Sequence, residues 1–113
     1  MLVKKSDSIK IENSKDCTVH EYPYPSELFS FATAHINGRY PDKGRVTNLN
    51  CEETYYVISG FGTVHSEFGE FKLEVGDLYF FKKGEIYWVE GSNLHIILVN
   101  APKWSPEQHK EVE

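Results

Sequence analysis

The residues able to do chemistry fall into three groups along this 113-residue chain. The first is a pair of acids, Glu52-Glu53, at the head of the run Thr54-Tyr55-Tyr56-Val57-Ile58-Ser59-Gly60. A carboxylate entering a half-buried strand can exchange a proton or hold a ligand, because burial and partners shift its pKa. The second is the stretch 39–50, which carries Arg39, Arg45, Asn48 and Asn50 beside Pro41 and Gly44. Arginines there can grip a carboxylate or phosphate through paired hydrogen bonds. They read equally as solvated loop charges. The third group is His35, His65 and His95, with Cys51. Three imidazoles brought together would ligate a transition metal. Kept apart, they are surface or hydrogen-bonded side chains, and Cys51 is a small half-buried residue. Lys82-Lys83 reads as a solvated turn.

Strands must position these groups. Residues 1–27 form an arm and edge strand, with a short strand at 18–22 that ends at Tyr22-Pro23-Tyr24-Pro25, since proline brings no donor to a ladder. Residues 28–36 alternate, with Phe29, Phe31, Thr33 and His35 on one face and Leu28, Ser30, Ala32, Ala34 and Ile36 on the other. Asn37-Gly38 signals a turn into the loop 39–50. Short runs follow at 54–59, 63–67, 71–73, 78–81, 86–90 and 95–99, each bounded by Gly, Asn or Asp. Glu67-Phe68-Gly69-Glu70 and Glu90-Gly91-Ser92-Asn93 read as hairpin connections. That spacing, without a helical period, predicts an all-β sandwich or barrel over 28–100. In the tail 101–113, Ser105-Pro106-Glu107-Gln108 carries a capping box and predicts a short helix, held down by Pro102 and Trp104.

Hydrophobic residues make up 40% of the chain and aromatics 14%, so one globular domain with one core is expected. The net charge of −5, with no basic block, argues against a nucleic-acid partner. No apolar run approaches the ~20 residues of a membrane span. The start, Met1 to Asp7, lacks the apolar stretch of a signal peptide, and the two cysteines, Cys17 and Cys51, show no metal or redox spacing. Free thiols in a reducing cytoplasm are the expectation.

Two glycine-marked units fill the middle of the chain. Glu53 and Gly60 have six residues between them; Gly76, Lys82, Gly84, Tyr87 and Gly91 follow. In this register the chain resembles the cupin superfamily, in particular its small single-domain members, over about 28–100. Glu53 and Gly60 match the end of the first cupin motif. In the second, Lys82 stands in the Pro place, Tyr87 in the His place and Gly91 in the Asn place. The resemblance implies a jelly-roll β-barrel whose open end holds the site. It also places the metal-ligating histidines of the first motif at Thr47 and Leu49, or at Val46 and Asn48, and none is a histidine. Only Glu53 of the four ligands remains, so no metal and no other cofactor is expected.

With that register, Glu53 and Tyr87 face the barrel interior, and the two-residue period adds Tyr55, Val57 and Val89. Glu53 is then either a ligand-binding group or an acid satisfied by Arg39, Arg45 or Tyr87. Tyr87 is either a ligand contact or a packed aromatic. The expected ligand site comprises Arg39, Arg45, Asn48, Glu53, Tyr55 and Tyr87. The expectation is a cupin that binds a small polar molecule, a sugar or sugar phosphate, without a metal. Its alternative is a metal-independent sugar isomerase or epimerase with Glu53 as base and Tyr87 as acid. A metal-dependent cupin enzyme is disfavoured by the missing ligands. The resemblance further implies a homodimer paired through sheet edges.

Overall fold

Alternation of buried and exposed positions extends through the chain and yields nine strands: β1 (Ile9–Ser14), β2 (Cys17–Tyr22), β3 (Ser30–Tyr40), β4 (Arg45–Asn48), β5 (Glu52–Ser66), β6 (Gly69–Leu73), β7 (Leu78–Phe81), β8 (Tyr87–Ala101) and β9 (His109–Val112). The computed structural model describes residues 1–113. Every pairing is antiparallel. β8 is the spine, with β3 along one side and β5 along the other. Beyond β3 lie β2 and the edge strand β1, while β6 and β7 pair with β5. β4 meets β8 at Val46 opposite Tyr87 and carries β9 on its far side.

This single sheet curls so that its inner face makes one core. Ala32, Ala34 and Ile36 of β3 meet Tyr55 and Val57 of β5 and Val89, Leu94 and Ile96 of β8 there. Each fully buried aliphatic side chain is worth roughly 1.5–3 kcal/mol. A one-residue slip of β5 would replace Tyr55 and Val57 inside by Thr54, Tyr56 and Ile58, so the core fixes the register that aims the site residues. The strand faces expected for 28–36 match this burial from Ser30 onward, while Leu28 and Phe29 lie before the strand and are exposed.

Several expected boundaries are corrected. Runs 54–59 and 63–67 are one strand, β5, because Gly60 lets it pass through the break. Gly60 has φ +76°, and a Cβ there would meet the Asn93 carbonyl oxygen at 2.0 Å. Glu90-Gly91-Ser92-Asn93 is no hairpin: β8 runs through it, with pairing to both neighbours shifted around Ser92 and Asn93. Nor does Asn37-Gly38 end its strand. The Asp16 carboxylate occupies the space where a Gly38 side chain would sit and accepts from the Arg39 amide at 3.0 Å, and β3 continues to Tyr40. The hairpin over 67–70 is present, closing β5 onto β6.

The C-terminal helix is absent. Pro106–Gln108 forms a single 3-10 turn in which the Ser105 side chain makes no cap bond, and His109–Val112 becomes β9. Pairing with β4 supplies partners that an isolated turn of helix would leave to water. No helix is long and apolar enough to cross a membrane.

Candidate active site

The curled sheet encloses a cavity of about 580 Å³ between β1–β3, β5, β8 and the C-terminal tail. Glu53, the second residue of β5, lines it and is only 4% exposed. Asn48 Nδ2 and Asn100 Nδ2 both donate to Glu53 Oε1, at 2.8 and 2.9 Å. Oε2 receives no hydrogen bond from the protein, and no lysine or arginine pairs with the carboxyl. Burial therefore dominates and pushes the Glu53 pKa up to about 7, while the two amides pull the other way.

Tyr55 and Tyr87 line the same cavity, at 3% and 2% exposure. The two-residue period brings Tyr55 to the face of Glu53, and the β4–β8 contact at Val46 fixes the start of the strand that carries Tyr87. Both phenol pKa values lie well above 10, first through burial and then through the Glu53 charge. At neutral pH the phenols are hydrogen-bond donors rather than bases. A carboxyl poised near neutrality beside two protonated phenols can take a proton, return it, and hold an oxygen on which negative charge develops.

Asn48 is the hub behind Glu53. Its Oδ1 accepts from Trp104 Nε1 at 3.2 Å, Gln108 Nε2 at 2.9 Å and His109 Nδ1 at 2.8 Å. Indole N–H can only donate, so the Asn48 amide orientation is determined, and with it the tautomer of His109. With Nδ1 donating, Nε2 is the lone-pair nitrogen, and it accepts from the Tyr40 hydroxyl at 2.8 Å. Tyr40 and His109 also line the cavity.

Of the residues expected from sequence, the structure brings Glu53, Tyr55 and Tyr87 together at the cavity, with Asn48 directly behind. Arg39 and Arg45 do not join them. Arg39 lies over the Trp88 ring at 4.0 Å and donates to the Gly44 carbonyl, while Arg45 donates to the Glu113 carbonyl. Neither lines the cavity, where Lys103 is the sole lysine or arginine. His35 stacks on His95, and His65 stacks on Trp88 between Glu70 and Glu90. No three His, Cys, Asp or Glu side chains converge to hold a metal. The donors at the positions of a cupin metal do not fit one: Glu53 Oε1 is engaged by two amides, Tyr87 stays protonated, and neither Thr47 with Leu49 nor Val46 with Asn48 supplies an imidazole. Cys51 is buried against Gln108 and Asn100, and Cys17 lines the cavity with its thiol pushed up to about 12 by burial.

Sequence reasoning missed Tyr40, Asn100, Gln108 and His109. Tyr40 had a signal, since it shares the even-numbered face of Ala34 and Ile36. The others come from strand ends and the tail, and only the fold brings them in.

No family model matches the sequence, and no curated protein matches it. Shape matches strongly. Pac13, described as a unique nucleoside dehydratase, has a TM-score of 0.91 at 16% identity, covering 100% of this chain and 91% of its own. The Streptomyces protein is also known with uridine, in variants that replace a tyrosine or a histidine. Ectoine synthase from P. lautus has a TM-score of 0.76 at 17% identity, covering 100% of this chain and 91% of its own. KdgF from Halomonas sp. has a TM-score of 0.73 at 11% identity, covering 92% and 96%. These are cupin-fold proteins, and the fold expected from the two glycine-marked units is the fold this chain has.

Proposed function

We propose that this cupin-fold protein binds an uncharged, hydroxyl-bearing small molecule of nucleoside or sugar type in its barrel and moves a proton on it without a metal. The observation that carries the reading is Glu53: a buried carboxyl with a pKa of about 7, one oxygen held by two amides and the other left for a ligand beside Tyr55 and Tyr87. A pKa near the working pH serves both halves of a proton shuttle. Glu53 takes a proton from a carbon next to a carbonyl-type group, the electron pair moves onto the carbonyl oxygen, and the two phenols hold that oxyanion. In isomerisation the oxyanion then takes the proton of a neighbouring hydroxyl, a carbonyl forms at that carbon, and Glu53 returns its proton to the former carbonyl carbon. In dehydration the pair on the oxyanion re-forms the carbonyl and expels a β-hydroxyl, which leaves with the Glu53 proton as water. Isomerisation and dehydration thus need the same protein groups.

The likeness to Pac13 over the whole chain favours a nucleoside and a dehydration. The cavity agrees in charge. With both arginines outside and Lys103 alone in the lining, it suits a neutral ligand better than the sugar phosphate first expected. Phe31, Tyr22 and Trp104 line its wall and offer flat surfaces to a base.

The test pairs thermal shift with hydrogen exchange. Uridine, other nucleosides, carbonyl-bearing nucleosides and free sugars are screened for stabilisation, then incubated with the protein in D₂O. Stabilisation by a nucleoside, with carbon-bound deuterium or loss of water that vanishes in Glu53→Gln, is the expected result. Binding without exchange would reduce the reading to a binding protein. No stabilisation by any of these compounds would overturn it.

A further inference from the structure

Glu53 is one proton-handling group of the cavity, and the hydrogen bonds of the tail define another. Tyr40 lines the cavity and its hydroxyl donates to His109 Nε2, whose ring is held in that tautomer by its Nδ1–H bond to Asn48 Oδ1. Asn48 in turn donates to Glu53 through its other amide atom. A continuous chain therefore runs from Tyr40 through His109 and Asn48 to the carboxyl. We propose that Tyr40 and His109 form a proton relay that receives the proton of a ligand hydroxyl, with His109 as its terminal base. This rests on the reading of the cavity as a proton-transfer site and adds the substrate feature it selects, a hydroxyl placed at Tyr40.

The physical argument is one of charge. Tyr40 alone cannot act as a base, because a phenolate there is disfavoured first by burial and then by Glu53, Cys17 and Glu111. Passing its own proton on removes the difficulty. As the ligand O–H proton moves to Tyr40 Oη, the Tyr40 proton moves to His109 Nε2. Tyr40 stays neutral, His109 becomes imidazolium, and the ligand oxygen keeps the electron pair; reversal restores both residues. His109 is prepared for this, since burial lowers its pKa and leaves it neutral at neutral pH, with Glu111 on its own strand pulling the other way. The imidazolium, once formed, faces Asn48 Oδ1 and, beyond it, the Glu53 carboxyl. The two stations divide the work: Glu53 handles a carbon-bound proton, the relay an oxygen-bound one.

The test follows the imidazole nitrogens of the full-length protein, labelled with ¹⁵N-histidine, by long-range ¹H–¹⁵N NMR across a pH titration. The assigned tautomer predicts a protonated Nδ1 and an acceptor Nε2 on His109, and Tyr40→Phe should move the Nε2 signal while leaving Nδ1 protonated. A resting Nε2–H tautomer would overturn the relay. The functional arm adds uridine. A hydroxyl docked on Tyr40 should shift the His109 titration midpoint in the wild type but not in Tyr40→Phe, with uridine binding to both checked by thermal shift. A merely structural Tyr40–His109 bond gives the same ligand-induced shift, or none, in the wild type and in Tyr40→Phe, and that result overturns the relay. Should uridine fail to bind, the nucleoside reading falls, and D-ribose at saturating concentration takes its place with the same two outcomes. Binding of neither overturns both.

Discussion

The barrel buries two glutamates, and they are buried for different ends. Glu85, between β7 and β8, is 3% exposed, and Glu53 is 4% exposed. Both oxygens of Glu85 are engaged: the Lys82 amide donates to Oε1 at 2.9 Å, and the Ser66 and Tyr79 hydroxyls donate to Oε2 at 2.6 and 2.5 Å. That carboxyl ties the turn at Gly84 to β5 and β7. Glu53 is given two donors on one oxygen and none on the other, beside a cavity. Burial alone therefore does not mark a functional acid. The mark is burial with an incomplete set of partners, because a buried polar group is costly unless something completes its hydrogen bonds. At Glu85 the protein completes them; at Glu53 it leaves one oxygen without a protein donor, where the proposed ligand would bind.

The same substitution separates the two. Glu85→Gln puts an NH₂ group against either the Lys82 N–H, which cannot accept, or the two hydroxyls, which then lose an acceptor. It should destabilise the fold by about 2 kcal/mol, since one side of the buried group loses its acceptor whichever way the amide turns. Glu53→Gln keeps its Oε1 for both asparagines and turns its NH₂ to the cavity, and should not destabilise at pH 7. Urea denaturation of both variants at neutral pH measures the difference. Equal losses at the two positions would erase the distinction.

The pH dependence of stability sharpens it further. The Glu53 pKa is raised from 4.5 in the unfolded chain to about 7 in the fold, so between those values the folded state binds more protons than the unfolded one. Stability from this group therefore falls as pH rises from 4.5 to 7, and levels off above. The shift corresponds to about 3 kcal/mol. In Glu53→Gln that decline should disappear, leaving the variant more stable than the wild type at pH 7.5 and close to it at pH 4.5. A wild type and variant with parallel pH–stability curves would show that Glu53 is not desolvated.

How much of this was legible follows from which contacts are local. Glu53, Tyr55 and Tyr87 were readable because glycines fix the motif register and a strand repeats every two residues, so both units announce their inner faces. Arg39 was misplaced because Asn37-Gly38 looks like the end of a strand. The glycine is there to admit the Asp16 carboxylate, and β3 carries Arg39 on to its outer face and Tyr40 to its inner one. The tail defeated local reading altogether. A Ser-Pro-Glu-Gln sequence favours a helical turn by its caps, but β4 offers four paired positions to residues 109–112, and that non-local pairing decides. His109 and Gln108 reach Asn48 across about 60 residues of sequence, with separations of 61 and 60. Glu85 sits inside the second glycine-marked unit and went unremarked, because nothing in its spacing distinguishes a structural acid from a solvated one.

The last comparison moves from the carboxyls to the phenols beside them. Tyr79 donates to Glu85 and has its pKa pushed up to about 12, first by burial and then by that bond. Tyr87 faces the cavity with Tyr55 and Glu53, and its pKa is raised for the same first reason. Removing either hydroxyl by Tyr→Phe leaves the ring and its packing in place. Tyr79→Phe leaves Glu85 short of one partner and should cost about 2 kcal/mol of stability, the range for a hydrogen bond to a carboxylate. It should leave ligand affinity unchanged. Tyr87→Phe should leave stability within about 0.5 kcal/mol and instead weaken binding of a nucleoside or sugar by about 1 kcal/mol, the worth of one neutral hydrogen bond. Combined with Glu53→Gln, its effect on affinity should be non-additive, since groups that share one ligand are coupled, whereas Tyr79→Phe with Glu53→Gln should add. Denaturation and calorimetric titration of the three single and two double variants decide between these outcomes. A Tyr87→Phe protein that loses stability as Tyr79→Phe does, with affinity intact, would make Tyr87 a packed aromatic and leave Tyr55 as the one phenol of the pair beside Glu53.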